Sequence, residues 1–222
     1  MMRNPIPQAT ANAGFWSAVV CTVFSVTYVL AQLAEWQGWL GSEGGPESSS
    51  TAFGLFILLT PSLFLAPVFL ALIASVHQLA APEHKVWSQI ALGFAGIYAT
   101  MICIVYYVQL TLVAPRLLQQ RIEGIEPFLF VPFDSFLYAV DILGYSFMCA
   151  ALLFAALVLD GEHKERLARR WMLENGLLIP FLLLQMYVHS LVWIASLWAI
   201  VFPAATWALA RQFHCARHQP SH

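Results

Sequence analysis

Apolar residues run along this chain in long blocks separated by short polar stretches, and the block length is the first informative quantity. Residues 14–36, 52–80, 86–113 and 132–158 are each dominated by Leu, Ile, Val, Phe and Ala. Each is close to, or somewhat beyond, the ~20 residues that a helix needs to cross a ~30 Å hydrocarbon layer. No block shows the strict alternation of a half-buried strand. The last apolar stretch, residues 171–211, would measure about 60 Å as one straight helix, twice the thickness of that layer. It reads instead as two spans, 171–189 and 191–211, folded back at a turn near residues 187–190. The turn contains no Gly or Pro, so a five-span arrangement stays open at this point. The pattern predicts an all-α polytopic transmembrane helical bundle of six spans (five possible), forming a single integral membrane domain over residues 1–222.

The cations favour six. Cytoplasmic loops of membrane proteins are enriched in Lys and Arg. Arg3 precedes the first span, Lys85 lies in the second loop, and Lys164, Arg166, Arg169 and Arg170 lie in the fourth. Arg211 and Arg217 lie in the tail, whereas the first loop holds Glu43 and Glu47 and no cation. Six spans with both termini cytoplasmic leave only Arg116 and Arg121 of the ten Lys and Arg residues on the exported side. Five spans would move the tail cations outside. The first apolar run exceeds the 7–15 residues of a signal-peptide core and follows a single Arg, so it reads as an uncleaved signal-anchor.

Composition excludes other classes. With 60% hydrophobic and 10% charged residues, against the ~25% charged residues usual for a soluble domain, the chain cannot clothe a water-soluble globule. A net charge of −2 without a basic run gives no nucleic-acid footprint. The resulting expectation is a bacterial-type cytoplasmic membrane protein in contact with the lipid bilayer. Cys21, Cys103 and Cys149 fall inside spans and Cys215 in the tail, so no disulfide framework is expected. Ala95/Ala99, Ala151/Ala155 and Ala204/Ala208 have the small-xxx-small spacing of close helix contacts. They serve packing within the bundle or a homo- or hetero-oligomer. Trp36, Trp39, Trp87 and Trp171 fall near span ends, as an interfacial belt would. Residues 38–50, rich in Gly and Ser, form an exported connector, and residues 114–127 suit a short interfacial helix.

The polar groups inside the spans carry the functional signal. On the fourth span Asp134, Tyr138, Asp141 and Tyr145 follow an i, i+4, i+7, i+11 spacing, which puts them within about 60° on a helical wheel. Acids within spans are costly and usually face a bundle interior or a wet cavity. No Lys or Arg lies inside any span to pair with Asp141, which must be hydrogen-bonded, hydrated or protonated. On the third span Tyr98, Tyr106 and Gln109 share an arc of about 80°. Gln185 and His189 are four residues apart, and on the first span Thr22, Ser25, Gln32 and Trp36 line one side, with Tyr28 and Glu35 at its margin. In the six-span topology Gln32, Gln109, Asp134, Asp141, Gln185 and His189 converge on the exported half, as an apolar pocket with a few placed polar groups requires. The competing reading is that each group hydrogen-bonds separately to a neighbouring helix. Pro61, Pro180 and Pro203 are expected to interrupt helices and free carbonyls.

Motifs for nucleotide binding, zinc proteolysis and serine hydrolysis are absent, and no cofactor is expected. His214, Cys215, His218 and His222 in the tail lack a supporting shell and suit only adventitious metal binding. The basic stretch 160–170 alternates in sign and acts as a topology determinant. The sequence therefore points to a pocket that binds or translocates a small lipophilic or cationic molecule. Its candidate ligand or proton site comprises Asp141, Asp134, Tyr138, Tyr145, Gln109, Tyr98, Tyr106, Gln185, His189 and Gln32. Alternatives are an accessory or scaffold subunit of a membrane complex, and an enzyme acting on lipid through the Asp134/Asp141 pair.

Overall fold

A computed structural model describes residues 7–159 and 165–218. Arg3, Lys164 and His222 lie outside these residues. The described chain is helical throughout, with no strand among the described residues. Helix α1 (Gln8–Trp36) starts after Pro7 and ends on Gly38, whose φ of 72° only glycine adopts readily. There the amides of Gly38 and Trp39 return to the carbonyls of Glu35 and Ala34, the two hydrogen bonds of a glycine-terminated helix end.

Helix α2 (Ala52–Leu79) is started by Thr51, whose hydroxyl accepts from the Gly54 amide and donates to the Leu40 carbonyl. Pro61 and Pro67 lie inside α2, which remains one helix around them. Helix α3 (Lys85–Val108) passes through a π-helical turn, Gln109–Val113, into α4 (Ala114–Leu118). Pro115 explains the turn: it has no amide to donate and its ring would collide with the carbonyl four residues back, and a wider turn relieves both. The short interfacial helix expected after the third span is thus a continuation of that span. Beyond it the chain turns, with a 3-10 turn at Glu126–Phe128.

Ser135 caps α5 (Phe136–Ala156) by accepting from the Tyr138 amide. The final hairpin consists of α6 (Arg166–Gly176) and α7 (Ile179–Leu184), then α8 (Val192–Ala195) and α9 (Trp198–Arg217). Its reversal lies at Tyr187 and Val188, whose amides both bond to the Leu184 carbonyl, and a 3-10 turn, His189–Leu191, follows.

Among the described residues, five helical segments are long and apolar enough to cross a membrane, the last being His189–Arg217. The chain is an all-α membrane protein. The arm expected over residues 171–189 is present but broken. It begins earlier, in α6, where Arg166, Arg169, Arg170 and Glu174 are charged, and the helix is interrupted between Gly176 and Ile179, just before Pro180.

The arms close into a ring. Helix α1 packs on α2 and α9, α3 packs on α2 and α5, and α6 bridges α5 and α9. Small residues make the contacts close, as membrane helices require without a hydrophobic force to drive them together. A β-carbon on Gly14 would lie 2.5 Å from the Phe213 ring, and one on Gly176 would lie 2.7 Å from Leu153. Ala95, Ala99, Ala151 and Ala155 are buried inside the ring and are consumed by contacts within the chain. The outward surface carries large apolar side chains, including Trp16, Leu30, Phe64, Ile104 and Ile200. All four cysteines are free, with Cys21 and Cys149 buried.

Because the Phe213 ring fills the space beside Gly14, replacing Gly14 with Val should prise α1 from α9. The expected cost is about 1–3 kcal/mol, read as a lowered midpoint of thermal unfolding in detergent.

Candidate functional site

Three connections meet at one end of the ring: residues 37–51, 119–135 and 185–191. Beneath them the helices splay around a cavity of about 300 Å³. Its walls come from the end of α1 (Tyr28, Gln32, Glu35, Trp36), the start of α2 (Leu55, Leu58, Leu59) and Tyr106 of α3. The first half of α5 adds Tyr138, Asp141, Ile142 and Tyr145, and the last hairpin adds Leu182, Gln185, Ala195, Ser196 and Trp198. Gly45, Pro46, Ser48 and Ser50 of the first connection also line it.

The periodicities explain this assembly. Tyr138, Asp141 and Tyr145 share a stripe of α5, while Tyr28, Gln32 and Glu35 share a stripe of α1, at spacings of three and four residues that place side chains over one another. The Tyr28 hydroxyl donates to Gln32 Oε1 at 3.0 Å, and the Tyr106 and Tyr145 hydroxyls lie 3.1 Å apart. Asp141 is 5% exposed and lies beside Tyr106. Its Oδ1 is buried and has no hydrogen-bond partner among the described residues.

An aromatic column forms one wall of the cavity and the packing beneath. Trp198 meets Tyr28 and Tyr145 edge-on, at ring-centre distances of 5.9 and 5.3 Å, and stacks on Phe202 at 5.0 Å. Tyr145 continues to Tyr98, and Tyr98 to Phe69. Edge-to-face geometry of this kind adds to burial by placing positive ring edges on negative faces. The Trp198 indole nitrogen is buried without a partner among the described residues.

The ten residues singled out from sequence divide into two groups. Asp141, Tyr138, Tyr145, Tyr106, Gln185 and Gln32 line the cavity. Asp134 does not. It precedes α5, because Ser135 takes the capping position, and it is exposed in the turn before it. The four-residue stripe on the fourth span therefore keeps three members. Gln109 is fully buried, but its amide nitrogen donates to the Phe128 carbonyl at 2.6 Å and so anchors the connection after α4. Tyr98 is enclosed in the column below. His189 stacks on Phe133 at 4.3 Å and approaches Glu47 at 3.8 Å, which ties the three connections to one another above the cavity. Phe133 takes a φ of 63°, unusual for a bulky residue, and its ring is held between His189 and Tyr138.

Trp36 on the polar side of the first span, Tyr28 and Glu35 at its margin, and Trp198 are outside the ten, yet all four line the cavity. Glu35 lines the cavity, is 2% exposed, and has neither carboxylate oxygen hydrogen-bonded among the described residues. Its spacing of three from Gln32 and seven from Tyr28 was the available signal. Trp198 carried none, because an apolar helix face and a cavity wall look alike in sequence.

Among the described residues no group of three or more His, Cys, Asp or Glu side chains is placed to hold a metal ion. No protein-family model matches the chain, and comparisons with curated proteins and with solved structures find no match either.

Gln109 makes a testable claim about the roof. Gln109→Leu should lose the Phe128 tether at a cost of about 1–3 kcal/mol. Hydrogen exchange should then rise selectively in residues 119–135.

Proposed function

We propose that the cavity binds a small lipophilic cation, and that the protein translocates it or holds it at the membrane. The observation that carries this reading is Asp141: a carboxyl buried among tyrosines, at the wall of a cavity, with no Lys or Arg among the lining residues. A carboxylate in a low-dielectric site gains most from a partner of opposite charge. The rings of Tyr28, Tyr138, Tyr145 and Trp198 supply faces that attract ammonium groups. The remaining wall is largely aliphatic, which suits an apolar body, and a volume near 300 Å³ lies at the small end of ligand sites. The exposed position of Asp134 removes one member of the acid pair on which lipid chemistry would rest, so binding is preferred to catalysis.

We assign the cavity to the exported side, with both chain ends cytoplasmic. The support is the cation asymmetry: Lys85, Arg166, Arg169, Arg170, Arg211 and Arg217 sit at the opposite end from the cavity. A membrane-impermeant maleimide should label a Glu43→Cys variant in intact cells and reach Cys215 only after lysis. Reversed labelling would invert the topology.

For the ligand, tetraalkylammonium and n-alkylamine probes should quench or shift the emission of Trp198. Asp141→Asn should weaken binding by about tenfold or more while leaving the thermal midpoint near that of the parent. Unchanged affinity in a folded Asp141→Asn protein would defeat the reading.

A further inference from the structure

The cavity holds two carboxyls, not one, and the second explains a feature of the fold that packing alone does not. Glu35 is the one acidic residue of α1, and its side chain is pressed against the first turn of α2. There the residue at position 54 is glycine. A β-carbon at that position would lie 2.8 Å from Glu35 Oε2 and 3.2 Å from Oε1. Gly54 sits in an ordinary helical turn, where glycine costs stability relative to alanine, so what it supplies here is room for a carboxylate. Thr51 already takes the Gly54 amide, and neither Glu35 oxygen has a hydrogen-bond partner among the described residues. The start of α2 provides only the partial positive charge of a helix end. Glu35 is therefore buried, lines the cavity and is left without a full counter-charge.

Its position differs from that of Asp141. Asp141 lies between one and two turns into α5, whereas Glu35 lies at the end of α1 beside the first turn of α2, close under the roof. The two carboxyls thus mark separate levels of the cavity, on the order of one to two helical turns or roughly 5–10 Å apart. Gln32, three residues before Glu35 on α1, and Leu58 and Leu59, about one turn beyond Gly54 on α2, also line the cavity and carry no charge. A carboxyl at each level with an uncharged stretch between is the complement of a linear molecule with an ammonium group at each end.

We propose that Glu35 is a second ligand-binding residue and that the cavity takes an aliphatic diamine or polyamine, its inner ammonium on Asp141 and its outer one on Glu35. This rests on the reading of the cavity as a cation site. Glu35 then acts in selecting charge number and chain length, while Asp141 is needed for any amine.

The test uses the full-length protein in nanodiscs and titrates linear α,ω-diamines, from diaminopropane to diaminooctane, against the n-alkylamine of the same carbon count. The expected result is an optimum chain length at which the diamine binds about tenfold tighter or more than its monoamine. Glu35→Gln should erase that preference by weakening the diamine far more than the monoamine, whereas Asp141→Asn should weaken both. Gly54→Ala, which displaces the carboxylate without removing it, should reduce the preference or move the optimum, and it guards against a folding defect in Glu35→Gln. If monoamines bind in an Asp141-dependent way but no diamine binds more tightly, or the preference survives both Glu35→Gln and Gly54→Ala, the second anchor is wrong and the cation site stands. If neither class of amine binds the parent protein, or Asp141→Asn changes nothing, the cation site fails and the second anchor with it.

Discussion

A carboxylate in hydrocarbon must find water, a proton or a cation, and no Lys or Arg is among the described residues that line this cavity to serve as the last. Asp141 and Glu35 are both buried, both without a full set of hydrogen bonds, and both turned to the same void. Desolvating a charge costs several kcal/mol even after the surroundings relax, so the helices that carry them have little freedom in rotation. Turning α1 or α5 by half a turn would put an acid against lipid, and the tyrosines that follow the same stripes would go with it. The orientation of these helices in the ring is in this sense an electrostatic result, and side-chain packing then fills what that orientation leaves.

That packing is graded along the bundle axis. Near the start of α1 and the end of α9, the two helices meet through Gly14 and Phe213 with almost no space between them. Midway, Thr22 and Thr206 join hydroxyls at 2.8 Å across the same pair, and Phe69, Tyr98 and Phe202 close the centre. Above this plug the helices part and the cavity begins. Small residues at the base and bulky rings at the middle produce a funnel, and the three connections form its roof, joined by Phe133, His189 and Glu47.

How much of this was readable from sequence follows from what each signal measures. Block length depends only on bilayer thickness, so the helical arms could be located, including the unpunctuated reversal near residue 187. The fifth arm was less regular than hydropathy implied, because it begins in the charged helix α6 and breaks just before Pro180. Helical spacing brought Tyr138, Asp141 and Tyr145 to one face, and Gln32 with them across the cavity. Asp134 was misgrouped since periodicity cannot see where a helix begins, and the serine after it was the cap that decided the matter. Gln109 and His189 were recognised as polar groups at the right depth, yet one bonds a backbone carbonyl and the other a neighbouring ring. Depth can be read from sequence; the direction of a side chain within that depth needs the neighbours.

The ring closes through the first helix and the last, and this bears on how the molecule is made. Chains emerge from the ribosome amino end first, so α1 and α5, with both acids, emerge before α8 and α9. The wall that carries Trp198 follows the other lining helices. Until it arrives, the chamber is a trough open along one side, and its carboxyls must be sheltered by water, by protons or by the insertion machinery. Assembly of the site then waits on α9, and a nascent chain that has not yet delivered that helix would display an unfinished, acid-lined cleft to the lipid.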